Sequence, residues 1–153
     1  ELWGSIGDVR HEMGEDKAEF KAYKKALAYN PDNILVLNNY AYFLSVEGRD
    51  FERALIMSTR ANQLSENNST YLDTHAWILY KLGKYEEARN VQRKALMLDT
   101  TGSEALLMHY GDILYALDDK FMAETYWKKA LSLGYDNAEL LRHMAEKKLQ
   151  SIE

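Results

Sequence analysis

Four histidines, His11, His75, His109 and His143, are the side chains of this chain best suited to hold a metal or shuttle a proton. His109 and His143 lie 34 residues apart, and Asp112 sits one helical turn beyond His109. Zinc needs nitrogen ligands at about 2 Å and at least one ligand more than this pair supplies. No His-x-x-x-His pair places two imidazoles on one helix face, and helices carrying one histidine each stand about 8–10 Å apart. No nucleophilic serine motif, phosphate-cradling glycine loop or pair of acids in a cleft is present. No catalytic activity, metal site or cofactor is therefore expected.

The 34-residue interval belongs to a wider period. Gly7, Ala41, Ala76, Gly111 and Ala145 follow one another at 34, 35, 35 and 34 residues. Trp3, Leu37, Leu72, Leu107 and Leu141 form a second column four places upstream. Ala26, Ala61, Ala95 and Ala130 form a third, and Ala54, Ala88 and Ala123 a fourth. Columns held in register over a chain of this length mark a repeat array.

Each unit reads as helix, turn, helix. Apolar residues at 72, 76, 79, 80 and 82 make a helical stripe, Gly83 ends it, and a second stripe runs from Tyr85 through Ala88, Val91, Ala95 and Leu98. Polar turns such as NPDN (30–33) and DTTGS (99–103) separate the units. The pattern predicts nine helices over about 2–13, 17–29, 33–47, 51–65, 69–82, 85–98, 103–117, 120–133 and 137–150. Small residues sit where paired helices cross, so that backbones approach. Tyr23, Phe51, Tyr85 and Phe121 of the second helices are expected to fill the remaining volume.

Composition narrows the function. A net charge of −5, with Lys and Arg scattered among acids, gives no basic face for nucleic acid. The longest uncharged stretch, residues 33–46, is 14 residues long and holds three asparagines, so this segment does not insert in a membrane. With no cysteine, disulfides and thiolate chemistry are excluded.

The stretches LDTHAWILYKLGKYEEARNVQRKALMLD (72–99) and ELWGSIGDVRHEMGEDKAEFKAYKKALAYNPDN (1–33) resemble the tetratricopeptide repeat family: Trp or Leu, Leu-Gly and Tyr in the first helix, Ala, an aromatic, Ala and Pro through the second. The departures are an extra residue in the turn Gly48-Arg49-Asp50, Asp118 where Gly is usual, and Glu19 where Ala is expected. The resemblance implies an all-α, right-handed solenoid in one domain. Its repeats fall at about 1–33, 34–68, 69–103 and 104–137, closed by a capping helix at 138–150. It also implies that first helices line a concave groove. The lining is then Asn38, Asn39, Tyr42, Asp73, Thr74, Trp77, Tyr80, Met108, His109, Asp112 and Tyr115, with Asp8, Glu12, Ser45, Arg142 and His143 around them.

This aromatic and amide-rich wall is suited to an extended peptide or partner helix. The Lys, Arg and Asn clamp by which some members hold a chaperone's terminal carboxylate is missing. Lys81 is the one cation nearby, and Asp73 and Asp112 would repel a carboxylate. A neutral or positively charged ligand is favoured. Burial of Tyr80 and Tyr115 within the stack is the competing reading of those rings.

A structural spacer or self-association module, using the open N-terminal end around Trp3 or the convex face, is the alternative function, with a homo-oligomer formed through the N-terminal end as its partner state. That end has no polar cap, so further repeats or another domain are expected upstream. NNYAYFL followed by YLDTHAWILYKLGKYEEA resembles a bacterial branch of the family found in the cell envelope, which implies a periplasmic or lipoprotein-anchored location.

Overall fold

In a computed structural model the chain is described over residues 16–133 and at residue 146. Seven helices lie among the described residues: α1 (Asp16–Tyr29), α2 (Ile34–Glu47), α3 (Phe51–Leu64), α4 (Ser69–Lys81), α5 (Tyr85–Leu98), α6 (Glu104–Ala116) and α7 (Lys120–Leu131). No strand occurs among the described residues. The two further helices expected at about 2–13 and 137–150, with Trp3, Gly7, Asp8, His11, Glu12, Leu141, Arg142, His143 and Ala145, lie outside the described residues.

The period recurs in the details that start and stop each helix. Asn33 and Asn68, 35 residues apart, cap α2 and α4 by accepting from the backbone N–H of Val36 and Tyr71 at 3.2 and 3.1 Å. The next position in the series is Ser103, whose backbone N–H is instead held by Asp99 Oδ2 at 2.7 Å. Gly48, Gly83 and Asp118 stand 35 residues apart at the turn inside each pair, and all three have positive φ, at 72°, 78° and 65°. Asp118 therefore takes the backbone conformation that glycine takes in the other two turns. The extra residue of the 48–50 turn is absorbed by a second left-handed position, Asp50, at φ 54°.

The helices pair in sequence, α2 with α3, α4 with α5 and α6 with α7, and each pair leans on the next. First helices also touch one another, α2 with α4 and α4 with α6, whereas the second helices α3, α5 and α7 make no comparable contact. The row accordingly bends with its first helices inside. Its core is a strip of adjoining clusters, running from Phe20 and Tyr23 through Ala76 and Ile113 to Trp127 and Ala130.

All four small-residue columns are buried wherever they are described, as are Leu37, Leu72 and Leu107. A further column accounts for how they are filled. Tyr23, Ser58, Gln92 and Trp127 follow at 35, 34 and 35 residues on the second helices, and all are buried. Their volumes answer to the crossing residue opposite. A Cβ on Gly111 would stand 2.3 Å from Trp127 Nε1, so the largest side chain of one column meets the smallest of the other.

The expectation that Phe121 fills core volume is corrected: it is 78 % exposed. It lies one place past the position equivalent to Phe51 and Tyr85, which Lys120 occupies, and Trp127 supplies the buried ring of α7. Tyr85 is also exposed and Phe51 only half-buried, leaving Tyr23 as the member of the predicted set that fills the core.

Two outcomes follow from these contacts. Asp118→Gly relieves a left-handed residue worth roughly 1–2 kcal/mol, less roughly 0.5–1 kcal/mol for glycine's unfolded freedom. Urea unfolding should therefore show a gain of about 0.5–1 kcal/mol. Gly111→Ala should cost roughly 1–3 kcal/mol by overpacking, and Trp127→Ser should be less damaging in that background than in the wild type.

Candidate functional site

The inner face is built from α2, α4 and α6, and its centre is a stack of rings. Trp77 of α4 lies against His109 of α6 with ring centroids 4.2 Å apart and planes at 26°. It also stacks on Tyr80 one turn along α4, at 4.9 Å and 18°. Lys81 Nζ stands 4.9 Å from the Trp77 ring centroid, and Tyr80 meets Tyr85 of α5 at 5.6 Å. The ring series thus bridges two successive first helices.

Below the rings is a polar network that spans three helices. His109 Nδ1 lies 2.8 Å from Asp73 Oδ1, where it donates. The same oxygen accepts from Gln92 Nε2 at 2.7 Å, and that amide nitrogen also donates to the Leu106 carbonyl at 2.9 Å. Gln92 of α5 is fully buried, so one side chain ties α4 to the start of α6. Asp112 Oδ1 accepts from the Trp127 indole at 3.2 Å, and the Met108 carbonyl accepts from it at 3.3 Å. The carboxylates of Asp73 and Asp112 are thereby held in place by neighbouring side chains.

Charge states follow from these surroundings. Burial disfavours the His109 imidazolium, but the charge and hydrogen bond of Asp73 and the charge of Asp112 outweigh burial and the opposing Lys81, leaving its pKa above the ordinary value of 6.5. The Tyr80 hydroxyl is pushed up to about 12, first by burial and then by Asp112 and Tyr85. His75 behaves oppositely: burial drives its pKa below 6.5 against the pull of Glu87, and its Nδ1 faces Ser58 Oγ at 3.2 Å. It shares its column with the buried Tyr40 and Tyr110, so it is a packed ring of the stack.

Eight of the eleven predicted lining residues, Asn39, Tyr42, Asp73, Trp77, Tyr80, Met108, His109 and Tyr115, retain surface, Tyr42 the most at 38 %. Asn38, Thr74 and Asp112 are corrected, and Ser45 with them: they are 5 %, 4 %, 1 % and 1 % exposed and belong to the interior. The Thr74 hydroxyl is turned back onto the Thr70 carbonyl at 3.3 Å, and Asp112 is turned onto the Trp127 indole. Asn38 is buried on α2, and its Oδ1 has no hydrogen-bond partner.

The rings are also less free than sequence suggests, since Trp77 and Tyr80 already pack on neighbours and Tyr115 lies 5.8 Å from Trp127. Gln92 and Trp127, which position the acids of the site, were not predicted. Their signal was the 34- and 35-residue register they share with Tyr23 and Ser58.

Comparison with known proteins decides the family. Two tetratricopeptide repeat models match the chain, one over residues 22–90 and one over residues 1–33. The chain belongs to the tetratricopeptide repeat family. The TPR repeat-containing protein PA4667 of Pseudomonas aeruginosa is 27 % identical over 91 residues, which are 60 % of this chain and 15 % of that protein. Among solved structures, Pseudomonas aeruginosa PilF matches with a TM-score of 0.75 at 26 % identity, covering 91 % of this chain and 63 % of its own. TTC0263, a thermophilic TPR protein of Thermus thermophilus, superposes with a TM-score of 0.86 at 20 % identity over 98 % of this chain and 81 % of that one. PilW, a widely conserved type IV pilus biogenesis factor, gives 0.86 at 16 % identity, over 97 % and 68 %. The last two establish the solenoid fold alone. The chain spans less than two thirds of both PA4667 and PilF.

The two histidines give this tetratricopeptide array a definite pH response. His109, with its folded pKa raised, contributes stability that is complete below pH 6.5 and is lost as pH rises through the folded value. His75, with its folded pKa lowered, contributes stability present above pH 6.5 and lost as pH falls through the folded value. Urea midpoints measured across pH 5–9 should decline on both sides of neutrality. His109→Gln should flatten the alkaline side only.

Proposed function

We propose that this chain is an interaction scaffold whose inner wall takes an extended peptide or a partner helix across Tyr42, Trp77, Tyr80 and Tyr115. The tetratricopeptide fold is that of a protein–protein interaction scaffold and is generally non-enzymatic. Among the described residues, no helix is long and apolar enough to cross a membrane. The observation that carries the reading is the ring series Tyr80–Trp77–His109, half-open along successive first helices and backed by fixed carboxylates. Rings held rigid in this way give contact area at little entropic cost.

The carboxylates of Asp73 and Asp112 behind the rings suit a neutral or cationic ligand over an acidic one, with His109 and Lys81 offsetting part of their charge. The reading includes four repeats at about 1–33, 34–68, 69–103 and 104–137 with a closing helix at 138–150, stacked in a right-handed superhelix. It also includes placement at the cell envelope as part of a longer bacterial protein.

A second reading, self-association through the second helices, draws on Ile56, Met97 and Phe121, which are largely exposed on α3, α5 and α7. One experiment separates the two. Peptides selected from a display library on the immobilised chain should lose at least about tenfold in affinity for the Trp77→Ala/Tyr80→Ala variant, as expected of interface anchors. Unchanged affinity removes the groove. Concentration-dependent light scattering that survives the double variant and disappears with Phe121→Glu favours the second reading.

A further inference from the structure

We propose that a proton on His109 switches the Trp77 ring between a clamped and a released setting, making the inner wall responsive to pH. The geometry places one imidazole in both systems that build this wall. Its ring face lies on the indole at 4.2 Å, and its Nδ1 is on Asp73 at 2.8 Å. Side-chain exposures of 12 % for His109 and 13 % for Asp73 keep water from replacing either contact. A charged imidazole gains an ion pair with Asp73 and an attraction to the electron-rich indole face, and a neutral one keeps only the weaker hydrogen bond and stacking.

The surrounding groups make this a single titration. From α4 the imidazole is faced by Asp73, Lys81 and the Trp77 ring, on which Tyr80 also stacks, and along its own helix by Asp112. α5 contributes the neutral amide of Gln92 and, through Tyr80, the Tyr85 ring. Burial holds the Tyr80 hydroxyl protonated far above neutrality, so it does not titrate in the same range. Gln92 fixes the Asp73 carboxylate from the opposite side by donating to the same oxygen, so that proton loss at His109 loosens the ring rather than the acid. The joint affected is the contact of α4 with α6, where the inner faces of two successive pairs meet.

The switch stands on the free chain; its effect on ligand binding rests on the groove reading above. The test follows the His109 ring resonance by NMR and indole emission from pH 5 to 9 in the wild type, Trp77→Phe, His109→Gln and Asp73→Asn. The Trp77 contribution is the difference between wild type and Trp77→Phe. It should be quenched while His109 is charged, recover with the His109 midpoint, become flat in His109→Gln, and move to lower pH in Asp73→Asn. A Trp77 signal that is constant through the His109 titration, or that keeps its midpoint in His109→Gln, overturns the proposal. Circular dichroism checks each variant, and should His109→Gln fail to fold, the shift in Asp73→Asn decides.

A selected peptide whose binding requires Tyr80 should then bind about tenfold more weakly on one side of the His109 midpoint than on the other, within the usual range of coupling. In His109→Gln it should bind equally at both. Binding indifferent to Tyr80 removes the groove and leaves the switch standing. Equal affinity at both pH values keeps the groove and removes its regulation.

Discussion

The structure depends on how closely two helices of a pair can cross. A crossing at backbone distance admits only Ala or Gly on the first helix, and it sets the volume left for the residue that reaches across from the second. In the last described pair that residue is Trp127 and the first helix yields down to Gly111. In the two preceding pairs the crossing residue is Ala41 or Ala76, and the equivalent second-helix positions hold the smaller Ser58 and Gln92. The period is thus preserved by trading volume between two columns, which native-density packing demands of any array that keeps one geometry while its sequence drifts.

Polar side chains in the reaching column do a second job. The Gln92 amide and the Trp127 indole both end on acids that lie behind the inner wall, Asp73 and Asp112. The carboxylates thereby acquire fixed partners, and their charges act on His109 and Tyr80 at short range in a partly dry setting. The wall is accordingly packed in its rings and ordered in its electrostatics in the free chain. Such preorganisation is what makes a recognition surface efficient.

Much of this was legible in the sequence, because a 35-residue period constrains many positions at once. The helices, their caps and the small columns follow from it, and so do Leu37, Leu72 and Leu107. Residue type and register each mislead at particular positions. Phe121 reads as a core residue because it is an aromatic of a second helix, although its neighbour Lys120 holds the place equivalent to Phe51 and Tyr85. Counting along the register also puts Asn38, Thr74 and Asp112 on the lining, although all three are drawn into the interior, Thr74 onto the Thr70 carbonyl and Asp112 onto the Trp127 indole. The column of Tyr23, Ser58, Gln92 and Trp127 was in register throughout, hidden because its four members share no chemistry. The bond between His109 and Asp73 joins residues 36 apart through a particular pair of rotamers, and no spacing rule announces it.

The two kinds of matching in this chain differ in reach. Gly111 and Trp127 lie within one helix pair and would survive duplication or transfer of that pair as a block. Asp73 and Gln92 belong to one pair and His109 to the next, so the same transfer would strand a carboxylate on one side of the junction and an imidazole on the other. In its steric fit the array is modular; in its polar wiring the α4–α5 and α6–α7 pairs form one inheritable block. Lineages that shuffle these repeats are expected to break the chain elsewhere.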